Sequence, residues 1–451
     1  MNPIDLIKEI EEKYDIQNIS CNNFPIWQYI RNLLYSQSIP THKSSFLNRI
    51  KNIYYMIKNH RWGNISKEKS YKYLLFTDLN EQKLYNNQYI DKTAQGLVEL
   101  LEEELLIIVN PCHKLHNTLK QETASYMSSS FFHYKRWILG LSKSCDIKNR
   151  PLLDIILKKH TLDLDVEYYN RLFFTYIKIF KDWLDEIKPN TVFINCSYSL
   201  FHQALIYACK KKGIKTVELQ HGLISKRHIQ YAPQKFIGTE TFPNYILTHG
   251  EYVNSSINTN FIDANNIIPV GHYYLEQIVN MNLNESKKNE DYKKTVVVSM
   301  QNDIEGALLK SIKIIASKEP KVLFLIKCRN LKNIPLELKN VQVEKDKDIY
   351  KLVKNADLHI SCYSTVALEA SALGTPTILI NINNMAKLHY SEICKDFTKI
   401  RICESEDEVI DLINHWAVDN HCDNPYRFNN KNNIKQFLNT YINNENSLHI
   451  S

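Results

Sequence analysis

Glycine is scarce in this chain: 10 residues among 451, about a third of the roughly 7% found on average. No G-x-G-x-x-G occurs, which excludes the standard dinucleotide-binding fingerprint. No G-x-x-x-x-G-K-[ST] occurs, which excludes a P-loop nucleotidase. Collagen-like and glycine-linker architectures are excluded too. The ten cysteines include no C-x-x-C, so paired metal-ligand spacing is missing. Cysteines within apolar patterns, such as Cys196 and Cys209, read as small buried thiols of a reducing compartment. No apolar run approaches the roughly 18 residues of a membrane span. The N-terminus, MNPIDLIKEIEEKY, lacks the apolar core of a secretory signal. The expected location is the cytoplasm.

What is present is globular: 44% hydrophobic, 11% aromatic and 23% charged residues, enough for two or three domains at about 100–200 residues each. The net charge of +7 favours anionic partners such as phosphates and lipid headgroups. No zinc-finger or RNP-type motif is present, so no nucleic acid is expected.

Residues 1–72 read as a helical, basic N-terminal extension. Phe46, Ile50, Ile53 and Ile57 share one helix face, flanked by Arg49, Lys51, Lys58 and Arg61. Such a helix suits an anionic membrane surface; the plain alternative is packing on a neighbouring domain. Strands then alternate with helices over residues 73–279, as in YLLFT (73–77), LLIIV (105–109), TVFIN (191–195), KTVELQ (215–220), NYILT (244–248) and IIPV (267–270). The polar stretch 280–294 reads as a linker. A second series fills residues 295–415, with KTVVVS, KVLFLIK, VQV, DLHIS and PTILIN as strands, and 416–451 as a helical tail. The expected fold class is α/β, with two doubly wound, Rossmann-like domains facing a cleft. Ligands in such sheets bind beyond the carboxyl ends of the strands.

Two groups of residues fall at those ends. In the second series, DLHIS runs into Ser364 and Thr365 at a predicted helix start, and Glu369 lies one turn later. Hydroxyl caps and free N–H groups at a helix start suit phosphate, and the glutamate suits ribose hydroxyls. Lys327 and Arg329 follow another strand and suit phosphate as cations. Ser299 and Gln301 follow a third. In the first series, histidines recur beside glycine at strand ends: Gln220-His221-Gly222, His249-Gly250 and Gly271-His272. Five of the ten glycines fall between residues 213 and 271. Glycine allows close backbone approach, and histidine serves as acid, base or phosphate partner. Asp78 and Glu81 follow the first strand and are candidate bases.

The Ser364–Glu369 segment resembles the donor-binding stretch of GT-B glycosyltransferases. The Q-H-G and V-G-H features resemble the bacterial subset that builds capsule and lipopolysaccharide, including CMP-sugar transferases and glycerophosphotransferases. The His-Pro motif frequent in that subset is replaced here by Lys327-Cys328-Arg329. The resemblance implies sugar transfer from a nucleotide donor to an oligosaccharide or lipid-linked acceptor. It implies donor contacts at Ser299, Gln301, Lys327, Arg329, Ser364, Thr365 and Glu369. Catalysis would fall to His221, Asp78 and Glu81, with Gln220, Gly222, His249 and His272 shaping the cleft. No metal and no cofactor beyond the substrate nucleotide are implied, and peripheral contact with the inner membrane is expected. The rivals are a sugar-nucleotide 2-epimerase of the same two-domain fold, a CDP-polyol phosphotransferase and a non-catalytic nucleotide-binding scaffold.

Overall fold

The continuous apolar runs form strands buried on both faces, as parallel sheets require. The computed structural model describes residues 3–38, 46–63, 65, 69–110, 124–257, 259–281, 291–328, 338–345, 347–416 and 424–443. The first sheet contains β1 (Tyr73–Asp78), β2 (Leu105–Asn110), β3 (Ser125–Ser128), β4 (Thr191–Ile194), β5 (Lys215–Leu219), β6 (Tyr245–Thr248) and β7 (Ile267–Pro269). Their spatial order is β3-β2-β1-β4-β5-β6-β7. The second contains β8 (Lys294–Ser299), β9 (Val322–Lys327), β10 (Val341–Val343), β11 (Leu358–Ser361), β12 (Thr377–Ile380) and β13 (Ile400–Cys403), in the order β10-β9-β8-β11-β12-β13. All neighbouring strands within both sheets are parallel. Each order reverses direction beside its first strand, giving the doubly wound form and its ligand crevice.

Alternation along β1 shows why the run is apolar throughout. Leu74 and Phe76 join one buried cluster, while Tyr73 and Leu75 join the cluster on the opposite face. The unanticipated strands β3 and β13 lie at sheet edges and read SYMS and IRIC. An edge strand need not be apolar along its whole length, so neither announces itself as an apolar run.

The N-terminal region is part of the first domain's core. Ile7, Ile10, Trp27, Tyr29 and Ile30 are fully buried, on the helices Pro3–Lys13 and Trp27–Ser38. Arg31 and Glu11 form an ion pair at 2.6 Å with both side chains sealed from water. Glu11 also accepts from Trp27 Nε1 at 3.1 Å and from the Gln234 N–H at 2.9 Å. Removing one partner of such a pair costs about 3–5 kcal/mol, so this cluster ties residues 11–31 firmly to the chain after β5.

The expectation of free thiols needs one correction. Cys21 and Cys145 form a disulfide across a sequence separation of 124, with Cα atoms 6.2 Å apart. They sit on and beside a small antiparallel sheet of Ser20–Cys21, Phe24–Pro25 and Ile147–Lys148. A pairing this distant leaves no local sequence pattern. Cys196, Cys209, Cys328, Cys362, Cys394 and Cys403 are free.

Of the polar stretch 280–294, residues 282–290 lie outside the described residues; a helix ends at Asn280 and β8 begins at Lys294. At the other end, the chain leaves the second domain and returns to the first. Helix Asn430–Phe437 and the turn after it bury Ile434, Phe437, Leu438 and Ile442 among Tyr73, Leu97, Val98 and Tyr245. The polar tail therefore carries an apolar face that joins the two domains. Among the described residues no helix is long and apolar enough to cross a membrane.

Candidate functional site in the interdomain cleft

β5 ends at Leu219, and the next three residues form a bracket. Gln220 donates through Nε2 to the Gly222 carbonyl and the Tyr252 hydroxyl, both at 2.8 Å. Its Oε1 accepts the His249 N–H at 2.7 Å, tying the end of β5 to the end of β6. His221 is thereby presented to the cleft with Nε2 3.1 Å from the Tyr198 hydroxyl, which comes from the loop after β4. Burial, then the nearby Lys92 charge, push the His221 pKa down to about 4. The imidazole is therefore neutral at physiological pH. Nothing occupies the space where a Gly222 side chain would begin, so this glycine leaves room beside His221.

The other two His–Gly pairs have a different use. A side chain at Gly250 would begin 1.9 Å from the Pro425 carbonyl, and one at Gly271, where φ is +90°, 2.2 Å from the Arg427 carbonyl. The close backbone approach is real, but the backbone is the chain's own return segment. His249 and His272 lie 4.7 Å apart between ring centroids, and Tyr426 packs on both. His272 Nδ1 accepts the Leu275 N–H at 3.1 Å, capping the helix Tyr273–Asn280. These two histidines shape the joint under the cleft.

Asp78 and Glu81 are already engaged. Asp78 accepts from the Asn80 N–H at 2.8 Å and from Asn110 Nδ2 at 2.9 Å, capping the turn Leu79–Glu81. Glu81 pairs with Lys92 at 3.0 Å. Neither bonds to His221 or to Tyr198, so the structure groups the three candidate catalytic residues by sheet edge and not by contact.

On the second domain, Ser299 is tied into the sheet. It is 5% exposed. Its hydroxyl is held by His359 Nε2 at 2.8 Å and Ser361 Oγ at 3.0 Å, inside the sheet. Gln301 supports the loop after β11, accepting the Tyr363 N–H at 3.1 Å. Thr365 precedes the helix Val366–Ala372 but makes no side-chain cap; Ser364 Oγ takes the Val366 N–H at 3.3 Å instead. Lys327 ends β9 at the surface, with Nζ on the Lys345 carbonyl at 2.9 Å. Arg329 lies outside the described residues.

Glu369 is buried, and its Oε1 accepts from the Tyr350 hydroxyl at 2.9 Å. Burial raises its pKa, while Lys92 and Lys83 from the first domain oppose the shift. Lys83 also bridges to Asp348 at 3.3 Å and lies 5.7 Å from the Tyr350 ring centre. Lys92 is the shared charge of this floor. Burial would lower its pKa, but Glu81 and then Glu369 hold it above the ordinary lysine value. Sequence reasoning missed Lys83, Lys92, Tyr198 and Tyr350. Both lysines ride on or beside the hairpin Gln82–Tyr85 and Gln88–Asp91, whose turn residues Asn86 and Asn87 have φ of 47° and 62°. An Asn-Asn pair between short strands is a readable hairpin signal. Among the described residues no group of three or more His, Cys, Asp or Glu is placed to hold a metal ion.

No protein-family model and no curated protein sequence matches the chain. Solved structures match in fold. The Methanocaldococcus jannaschii UDP-GlcNAc 2-epimerase in complex with UDP-GlcNAc and UDP has 13% identity and a TM-score of 0.50, covering 82% of this chain and 99% of its own. S. aureus MnaA in complex with UDP has 11% identity and a TM-score of 0.51, covering 82% and 97%. The calicheamicin glycosyltransferase CalG4 has 11% identity and a TM-score of 0.47, covering 82% and 94%. At such identities the likeness to the first two is one of fold, and that fold is GT-B: two Rossmann-like domains facing each other across a cleft.

Proposed function

We propose that the chain is a nucleotide-sugar-dependent glycosyltransferase whose acceptor is presented at a membrane surface. The two sheets aim their carboxyl ends into one cleft, the crevice where such folds bind ligands. Two similar structures hold UDP, which favours a nucleoside diphosphate as the shared part of the substrate. In this reading the nucleotide lies on the second domain, with Glu369 and Ser364 as polar contacts. Neutral His221 takes the acceptor hydroxyl proton as the acceptor oxygen bonds to the anomeric carbon. The bond from that carbon to the phosphate oxygen breaks, and the nucleoside diphosphate leaves with the electron pair. An anionic donor in the cleft raises the basicity of His221, because a nearby negative charge favours the imidazolium.

The observation that favours transfer is an exposed apolar face on the first domain. Helix Phe46–Asn59 presents Ile50, Ile53, Tyr54 and Ile57, and helix Ser130–Leu139 presents Trp137, Ile138 and Leu139, each 42 to 60% exposed. His60 stacks on Tyr134 at 3.9 Å, placing the two helices side by side. Exposed Lys51, Lys58 and Arg61 surround the patch. Apolar side chains ringed by cations suit an anionic bilayer, where a lipid-linked acceptor resides; a purely aqueous substrate requires no such face. Full-length protein is expected to sediment with phosphatidylglycerol-containing vesicles and much less with pure phosphatidylcholine. Ile53→Ser with Ile57→Ser is expected to weaken that binding by about tenfold or more, from the apolar area lost. Equal binding by wild type and variant would remove the membrane role.

The nucleotide part is tested by thermal shift. UDP, CDP, GDP or CMP at a concentration well above its Kd should raise the melting temperature, since a ligand of the folded state alone stabilises it. No shift with any of the four would sink the enzyme reading. A second reading, 2-epimerisation of a nucleotide sugar, is favoured by the 2-epimerase among the similar folds. Conversion of UDP-GlcNAc to UDP-ManNAc without acceptor, followed by proton NMR, would select it over transfer.

A further inference from the structure

We propose that a second pocket, between the N-terminal helix and the two domains, binds a diphosphate-bearing ligand through Lys8, Lys226, Arg227, Lys387 and His389. The pocket measures about 390 Å³, within the range of small-ligand sites. Four separate stretches of chain build it: helix Pro3–Lys13, the loop after His221, Ser256 at the end of helix Tyr252–Ser256, and the second domain's helix Met385–Tyr390 with its flanks.

The charges in it are unevenly matched. Arg227 pairs with Asp5 at 2.7 Å and Lys387 with Glu404 at 2.7 Å. Glu392, also on the wall, pairs with Lys395 at 3.1 Å. Lys8 and Lys226 face no carboxylate within ion-pair distance among the described residues; Lys8 Nζ reaches the Lys226 carbonyl at 3.5 Å. Burial and then the Arg227 charge lower the Lys8 pKa, and the carboxylates Asp5, Glu11 and Glu12 oppose the shift without cancelling it. A diphosphate would add negative charge among these cations, with oxygens for both a guanidinium fork and ammonium groups.

The pocket is linked to His221. His389 stacks on Tyr363 at 5.1 Å, and the loop that lines the pocket at Ser225–Arg227 continues into His228. The His228 ring lies 5.1 Å from Tyr198, the partner of His221. Two ligands carry the required chemistry: the nucleoside diphosphate of a donor, and the diphosphate of a lipid-linked acceptor. The inference stands on the pocket's own charges and does not require sugar transfer.

The probe is inorganic pyrophosphate, titrated calorimetrically into the full-length protein at low salt. Saturable binding is expected, weakened about tenfold in Lys226→Gln with Lys387→Gln, as loss of two solvent-exposed ion contacts implies. Both positions are exposed, and an unchanged melting temperature confirms that the variant is folded. Absence of binding at millimolar pyrophosphate, or equal binding by the variant, overturns the proposal. Saturating UDP then separates the sources: a blocked site is the donor's diphosphate cradle, and a site still open is the acceptor's. Pyrophosphate binding without any UDP binding would keep this pocket while refuting the nucleotide reading above.

Discussion

His221→Ala is expected to lower turnover by about a hundredfold or more while leaving nucleotide affinity near the wild-type value, because a positioned acid–base group contributes about 10²–10⁴-fold. The side chain sits at the tip of the Gln220 bracket, so its removal opens space without cutting the bonds that hold the loop. Its folded pKa of about 4 keeps the free enzyme's imidazole in the base form throughout the neutral range. The kcat/KM profile should therefore show no acidic limb between about pH 6 and pH 8. Steady-state kinetics with calorimetric UDP binding would decide. A collapse of nucleotide affinity instead of turnover would move His221 into the donor site. A tenfold rise in KM with kcat intact would make it a binding residue only.

The second large effect is acid lability. Burial depresses the pKa of eight histidines among the described residues: His133, His202 and His221 to about 4, His228, His249 and His359 to about 3, His272 well below the ordinary value and His389 below it. Unfolded, each titrates near 6.5. Below that pH the unfolded chain binds protons that the folded chain does not. Stability is therefore full above about pH 6.5 and falls as pH drops toward the folded pKa values. Each such histidine costs about 1.4 kcal/mol per pH unit in that window, against a typical total of about 5–15 kcal/mol. Glu218 runs the other way. Burial raises it to about 7 although Ser197 and Tyr231 donate to it. The folded state then holds a proton that the unfolded state lacks between about pH 7 and pH 4.5, which adds stability as pH falls. Burial also raises Asp91 and Glu369, which act in the same direction, but three carboxyls do not offset eight histidines. Urea midpoints should drop sharply between pH 7.5 and pH 5.0, with unfolding complete by about pH 4.5. A flat midpoint across that range would refute the account.

Legibility in the sequence followed burial. Strands sealed on both faces, such as β1, β4, β8 and β9, read as apolar runs because few polar groups survive there, Thr77, Thr191 and Ser299 among them. Edge strands β3 and β13, the Asn-Asn hairpin and the Cys21–Cys145 pairing lacked that signature. His221 stood out through its place after β5. Lys92 did not, because one lysine in a basic chain carries no local mark; its importance arises where Glu81 and Glu369 from different domains meet it. Ser299 read as a ligand residue because a serine at a strand end normally faces solvent. Here His359 and Ser361 on the neighbouring strand absorb its hydroxyl.

The sequence by itself determined the two α/β series and the glycine economy that rules out Gly-rich phosphate loops. Local periodicity and composition suffice for that, since they act within one element at a time. Only the tertiary structure decided what the scarce glycines do. Gly222 leaves room beside His221, while Gly250 and Gly271 admit the returning backbone at Pro425 and Arg427. Those partners are more than 150 positions away along the chain, and contacts at that separation exist only once the tail has folded back onto the first domain.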